Sequence, residues 1–415
     1  MLQTGVVAAV SLAYLGLLFA VAFYADRRAD AGRSLINNGT VYALSLAVYE
    51  SAWAYYANVG AAARTGIGFL EYYLGATIMM ALGWLVVRRI IRISHRHRIT
   101  SMSDFISVRY GKSAVLGGLV AIIAVVGVVP TISLQLKAIA DTFEVIRRYP
   151  EITTPAKLGH APLLQDSGLY TTLLLAAFAV LFGTRHLDTA ERHEGMIAAV
   201  AFESVVKLGA LLTVGVFVTF WVYRGFDDVF AQAAHAHLTK LFTLQGHVSY
   251  GTWIWLTVQA MLSVLLLPRQ WQVTVVENVD ERHLKRGMWM LPLYSLTNTL
   301  FVVPLAAAGL LLLGNAADPD TYVLTLPMAA GHQALTLFVF IGGLSAGAAV
   351  TIVETIALST MVSNSLVMPL LLRGKSRLAH REDVTGLILG IRRTTIVWSR
   401  CSRTRTFASK ARGRS

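Results

Sequence analysis

Glu50 and Glu354 are carboxylates set in stretches where water is scarce. The run Tyr42 to Ala63, YALSLAVYESAWAYYANVGAAA, is long and apolar enough to cross a bilayer, and Glu50 lies near its middle. An acid at that depth costs about 2.5 to 3.5 kcal/mol, so it is expected to face the protein interior and to serve function. Ala43, Ala47, Ser51, Ala54 and Asn58 recur beside it at helical spacing and make a face that other helices can approach closely. Near the other end, Ile341 to Met368 repeats the arrangement, with Glu354 as the one acid on a helix of small residues. Two lone carboxylates point to one shared site.

A second pair of charges, Glu203 and Lys207, stands at i, i+4 in another apolar run, the spacing at which a helix can pair them. As an intramembrane charge pair they are either functional or a self-neutralised structural couple. Gly183 to Gly195, GTRHLDTAERHEG, holds His186, Asp188, Glu191, His193 and Glu194 but no HExxH spacing. It reads as a hydrogen-bonded cytoplasmic connector, not a metal site. His95 and His97 sit among arginines that repel a cation, so no metal is assigned there either.

The elements that must position these groups are membrane spans. The chain has 415 residues, 55% of them hydrophobic and 14% charged, a polytopic composition that excludes a soluble enzyme or nucleic-acid binder. Its net charge of +13 fits basic loops between apolar runs, not a nucleic-acid surface. The single cysteine, Cys401, excludes an internal disulfide and a cysteine-built metal site. Apolar runs place nine spans near 4–24, 41–63, 69–91, 114–140, 169–184, 195–223, 252–267, 288–313 and 334–372. Loops assigned inside carry twenty Lys and Arg against seven outside, which sets the N terminus outside. The basic cluster Arg27, Arg28 and Arg33 follows the first run, as expected for a retained span.

Among the loops, Arg88 to Lys112 reads as a short interfacial helix on the cytoplasmic leaflet, with Ser103 and Asp104 capping the following turn. Arg147 to Ser167 contains three prolines and reads as an external loop. Leu267 to Tyr294 alternates acids with bases and reads as a solvated cytoplasmic connector. Val384 to Val397 begins like a tenth span. The composition then changes abruptly, so 398–415 is expected to be a disordered basic tail following a membrane domain at 1–397, as after a truncation or frame shift.

The phrases YALSLAVYESAWAYYANVG, RITSMSDFISVRYGKS, TISLQLKAIADTF, FGTRHLDTAERHEG, AFESVVKLGA, LPRQWQVTVVENVDERHL and LSTMVSNSLVMPLLLR together resemble the sodium/solute symporters, the group of the bacterial proline and sodium/glucose carriers. The resemblance is nearest to the symporter-like N-terminal membrane domain of bacterial sensor histidine kinases. It implies an all-α polytopic bundle of LeuT-like inverted repeats, the second repeat incomplete, in a bacterial inner membrane. It implies a sodium ion held between the second and ninth spans, with Ala47 and Glu50 as the second-span carbonyl positions and Tyr49 where the proline carrier has an acid. On the ninth span it implies Val350, Val353 and Glu354. Val350 can offer a carbonyl, but Val353 lacks the usual hydroxyl, so a proton is the other coupling ion to consider.

On this alignment Glu50 and Glu354 both fall at the cation site. They would share a proton or hold a cation between them, or else each would be protonated and bonded to a carbonyl or water. The expected partners are the lipid bilayer and a small solute, an amino acid being the favoured class. The function implied is binding or carriage of that solute. A receptor module without transport, and an inactive fragment of a sensor kinase, are the other readings. The sequence carries neither phosphoacceptor histidine nor ATP site, so an enzyme is not expected, and the kinase module of the full-length relatives is missing.

Overall fold

Uninterrupted apolar sequence and few charges give long helices wherever nothing forces a stop. The computed structural model describes residues 4–152, 193–244, 249–314 and 316–373. The predicted fifth span at 169–184, residues 183–192 of the histidine-rich connector, the partial tenth span and the tail at 398–415 lie outside the described residues. In chain order the helices are α1 Thr4–Asp30, α2 Gly39–Ser45, α3 Ala52–Thr65, α4 Leu70–Leu82, α5 Trp84–His97, α6 Met102–Arg109 and α7 Ala114–Arg147. There follow α8 Glu194–Val216, α9 Phe226–His235, α10 Tyr250–Leu266, α11 Pro268–Trp271, α12 Leu284–Thr299, α13 Val302–Leu312, α14 Tyr322–Ala329, α15 Gln333–Val362 and α16 Met368–Arg373.

By length and composition, five described helical runs can cross a membrane, and seven if two bent pairs each count as one span. The bent pairs are Ile67–Leu82 with Trp84–His97, at 69°, and Tyr250–Leu266 with Pro268–Val276, at 47°. The second bend has a plain cause. Pro268 cannot continue an upstream helix, and Leu267 before it takes extended backbone. The predicted span at 41–63 is not one rod. α2 tightens into a 3₁₀ turn at Leu46–Tyr49, Glu50 and Ser51 adopt extended backbone, and Ser51 then caps α3 by accepting from the Ala54 amide at 3.3 Å.

α15 is the axis of the bundle. It is apolar on every face, and 89% of its most apolar window is buried, against 28% for α1. α8 and α7 pack along it, and α1 packs on α8. Glycines let the backbones close in: a Cβ on Gly343 would fall within the Tyr56 ring of α3.

The basic stretch after the third span forms two helices. α5 buries Val87, Ile91 and Ser94, while Arg88 and Arg92 reach Glu281 at 3.0 Å. α6 is capped by Ser101, whose Oγ accepts from the Asp104 amide at 3.1 Å. Asp104 in return accepts from the Thr100 amide. Ser103, expected to cap, is buried and hydrogen-bonded to Ser365 beyond α15.

Candidate functional site

Breaking a helix in mid-span frees backbone carbonyls and amides that lipid cannot satisfy. At Leu46–Ser51 side chains from four other helical elements do so. The Nζ of Lys207, on α8, donates to the Ala47 carbonyl at 2.5 Å and to the Glu50 carbonyl at 2.7 Å. Gln270 of α11 donates to the Leu46 carbonyl at 3.3 Å, and Tyr72 of α4 donates to the Tyr49 carbonyl. On the far side of the break, the Gln135 side chain of α7 accepts from the Ala52 amide at 2.9 Å, capping the start of α3.

The Glu50 carboxylate is bonded from α12. Its Oε1 accepts from Ser295 of α12 at 3.0 Å, and its Oε2 is buried without a hydrogen-bond partner. Asn298 of α12 stands beside the carboxylate. Tyr49 is fully buried, stacks on Tyr72 at 4.5 Å between centroids, and has its one hydroxyl proton between the carbonyls of Tyr72 and Ala260, at 3.2 and 3.3 Å. A tyrosine thus fills the position where the resemblance expects an acid.

Two expectations about the charges are corrected. Glu50 and Glu354 share no hydrogen bond, because Glu354 is taken by the guanidinium of Arg269 at the head of α11. A cation between the helices answers a buried acid more fully than a second acid would. Lys207 likewise makes no ion pair with Glu203: its ammonium goes to the carbonyls of the break, and both Glu203 carboxylate oxygens are buried without partners. Helical spacing permits that pair but does not enforce it, and the two carbonyls freed at the break take the ammonium across the interface. Val350 and Val353 are fully buried on α15, as is Glu354.

The connector at 267–294 is corrected in its first part, 267–278, while Arg282, Lys285 and Arg286 are exposed as expected of a solvated connector. Arg269, Gln270, Gln272, Glu277 and Asn278 are all buried. The buried polar groups have internal partners: Arg269 pairs with Glu354, Gln270 donates to the Leu46 carbonyl, and Gln272 donates to Glu277 at 2.7 Å. Glu277 also accepts from the His193 amide at 3.0 Å and contacts its ring Nδ1 at 2.6 Å. Burial alone would push the Glu277 carboxyl up; the His193 charge and the hydrogen bonds from His193 and Gln272 outweigh it and hold the group below its usual range. Glu194 accepts from Ser34 at 2.6 Å, so the described end of the histidine-rich segment is a hydrogen-bonded connector. Among the described residues no cluster of acids, histidines or cysteines could hold a metal ion.

Gln135, Arg269, Gln270, Tyr72 and Ser295 were not signalled as site residues by the sequence. Gln135 had one available sign, a lone amide in an otherwise apolar stretch of α7.

No protein-family model matches the chain, and no curated protein sequence does. Among solved structures, the chain is similar to a Na+-coupled sialic acid symporter in a substrate-bound outward-open state. The likeness has a TM-score of 0.64 at 14% identity and covers 96% of this chain and 80% of the symporter's. At that identity it shows the fold: an all-helical polytopic membrane bundle that resembles the LeuT-like fold of that symporter.

Proposed function

We propose that this chain is a carrier-type membrane protein that binds a small polar solute, of the amino-acid class, at the interruption of its second predicted span. The observation that carries the proposal is the break at Glu50–Ser51 facing a second break at Leu267, with a buried carboxylate oxygen of Glu50 left without a partner. Such an oxygen is an acceptor open to a donor from outside the protein. The start of α3 at Ala52 supplies the positive end of a half-helix for an anionic group. An amino acid carries both an ammonium and a carboxylate.

The centre has three buried acids, Glu50, Glu203 and Glu354, and two buried bases, Lys207 and Arg269. An unpaired buried charge is costly, so one proton on the acids balances the group, which favours H+ as the coupling ion. The proposed setting is a bacterial inner membrane with the N terminus outside.

Reconstituted vesicles test the proposal. Radiolabelled amino acid should accumulate under an imposed pH gradient, and Glu50→Gln should abolish it. Binding without accumulation would favour a receptor that passes occupancy to a kinase in longer relatives. Absence of both would end the proposal.

A further inference from the structure

We infer that the ammonium of Lys207 is the cation of this site and that the chain holds no sodium ion between α2–α3 and α15. The resemblance places sodium on the carbonyls of Ala47 and Glu50, with further ligands from Val350, Val353 and Glu354. Those residues do not fit the ion. Both carbonyls already accept from the Nζ of Lys207, at 2.5 and 2.7 Å. Val353 has no side-chain oxygen, and the charge of Glu354 is already answered by the guanidinium of Arg269, which bonds its Oε1 and leaves Oε2 without a hydrogen-bond partner.

Lysine suits the position because its ammonium is a compact point charge with several donors on a flexible stem. It reaches across from α8 to the end of the first half-helix, where carbonyl dipoles gather negative charge. The groups that face it are the Glu50 carboxylate at the break, Glu203 one turn earlier on α8, Arg269 on α11 and Tyr294 on α12, the last with its ring centroid 5.9 Å from Nζ. The lysine is 2% exposed and so is shielded from exchange with ions in water. A sodium ion on the same two carbonyls would lie against the ammonium in low dielectric, where like charges repel strongly.

The inference deepens the proposed function, since it takes the break as the working site, but it concerns the cation alone. Hydrogen exchange of the peptide covering Leu46 to Ala54 tests it on the purified full chain without solute. In the wild type, exchange should be the same in sodium chloride and in choline chloride of equal ionic strength. Lys207→Ala should speed exchange of that peptide roughly tenfold or more, as expected for losing charge-assisted hydrogen bonds. Saturable slowing by sodium in the wild type would overturn the inference, as would a Lys207→Ala chain whose exchange matches the wild type. Should that variant fail to fold, the wild-type comparison still decides. A sodium effect would remove the inference and leave solute binding standing.

Discussion

Arg269 and Glu354 form an ion pair in which the side chains are 5% and 0% exposed, joining the head of α11 to the middle of α15. Together with the Gln270 bond to Leu46 it ties the second break to the first and both to the axial helix. Truncating one partner leaves the other charge buried and alone, which costs about 3 to 5 kcal/mol. Glu354→Ala or Arg269→Ala should therefore lower the thermal midpoint in detergent sharply. Replacing both by leucine should recover most of the loss, and failure to recover it would show that either group has a further partner.

Gln135 caps α3 from another helix, so its removal should loosen the break without disturbing α7. Gln135→Leu should cost about 1 to 2 kcal/mol, the range for losing a helix cap. Thermal denaturation would give the size, and hydrogen exchange should place the loss at Ala52.

Glu277 carries a pH dependence with a definite sign. Its carboxyl is held below the ordinary value of 4.5, so the charged form favours the folded state. That stability is fully present above 4.5 and is lost as pH falls through the lower folded value. Thermal midpoints followed through that acid range should fall for the wild type. Glu277→Gln should be less stable at neutral pH and should show a flatter decline.

Gly343 faces Tyr56 without room for a methyl group. Gly343→Ala should force α3 and α15 apart at a cost of about 1 to 3 kcal/mol. Size-exclusion profiles after mild heating would show the loss of monodisperse protein.

The spans were legible because apolar length is a property of the chain itself. Glu50 stood out for the same reason, as a charge in the wrong solvent. The break beside it was not legible: no proline or glycine marks Leu46–Ser51, and it persists because Lys207, Gln270, Tyr72 and Gln135 satisfy it from distant positions. Arg269 was hidden by its neighbours, since LPRQWQVTVVENVDER has the charge density of a wetted loop and only the tertiary fold turns its first part, to Asn278, inward. Glu203 and Lys207 do not pair, because local spacing carries no sign of the acceptors across the helix interface that take the ammonium.

A helix with so little of its surface against lipid, as α15 has, takes its height from its protein neighbours. Hydrophobic mismatch acts on lipid-facing helices, which tilt or shift as the bilayer thins or thickens. The outer helices, α1 and α7 among them, should absorb such changes. Val350 to Glu354 would keep their level against Glu50, so the centre should stay in register in membranes of different thickness.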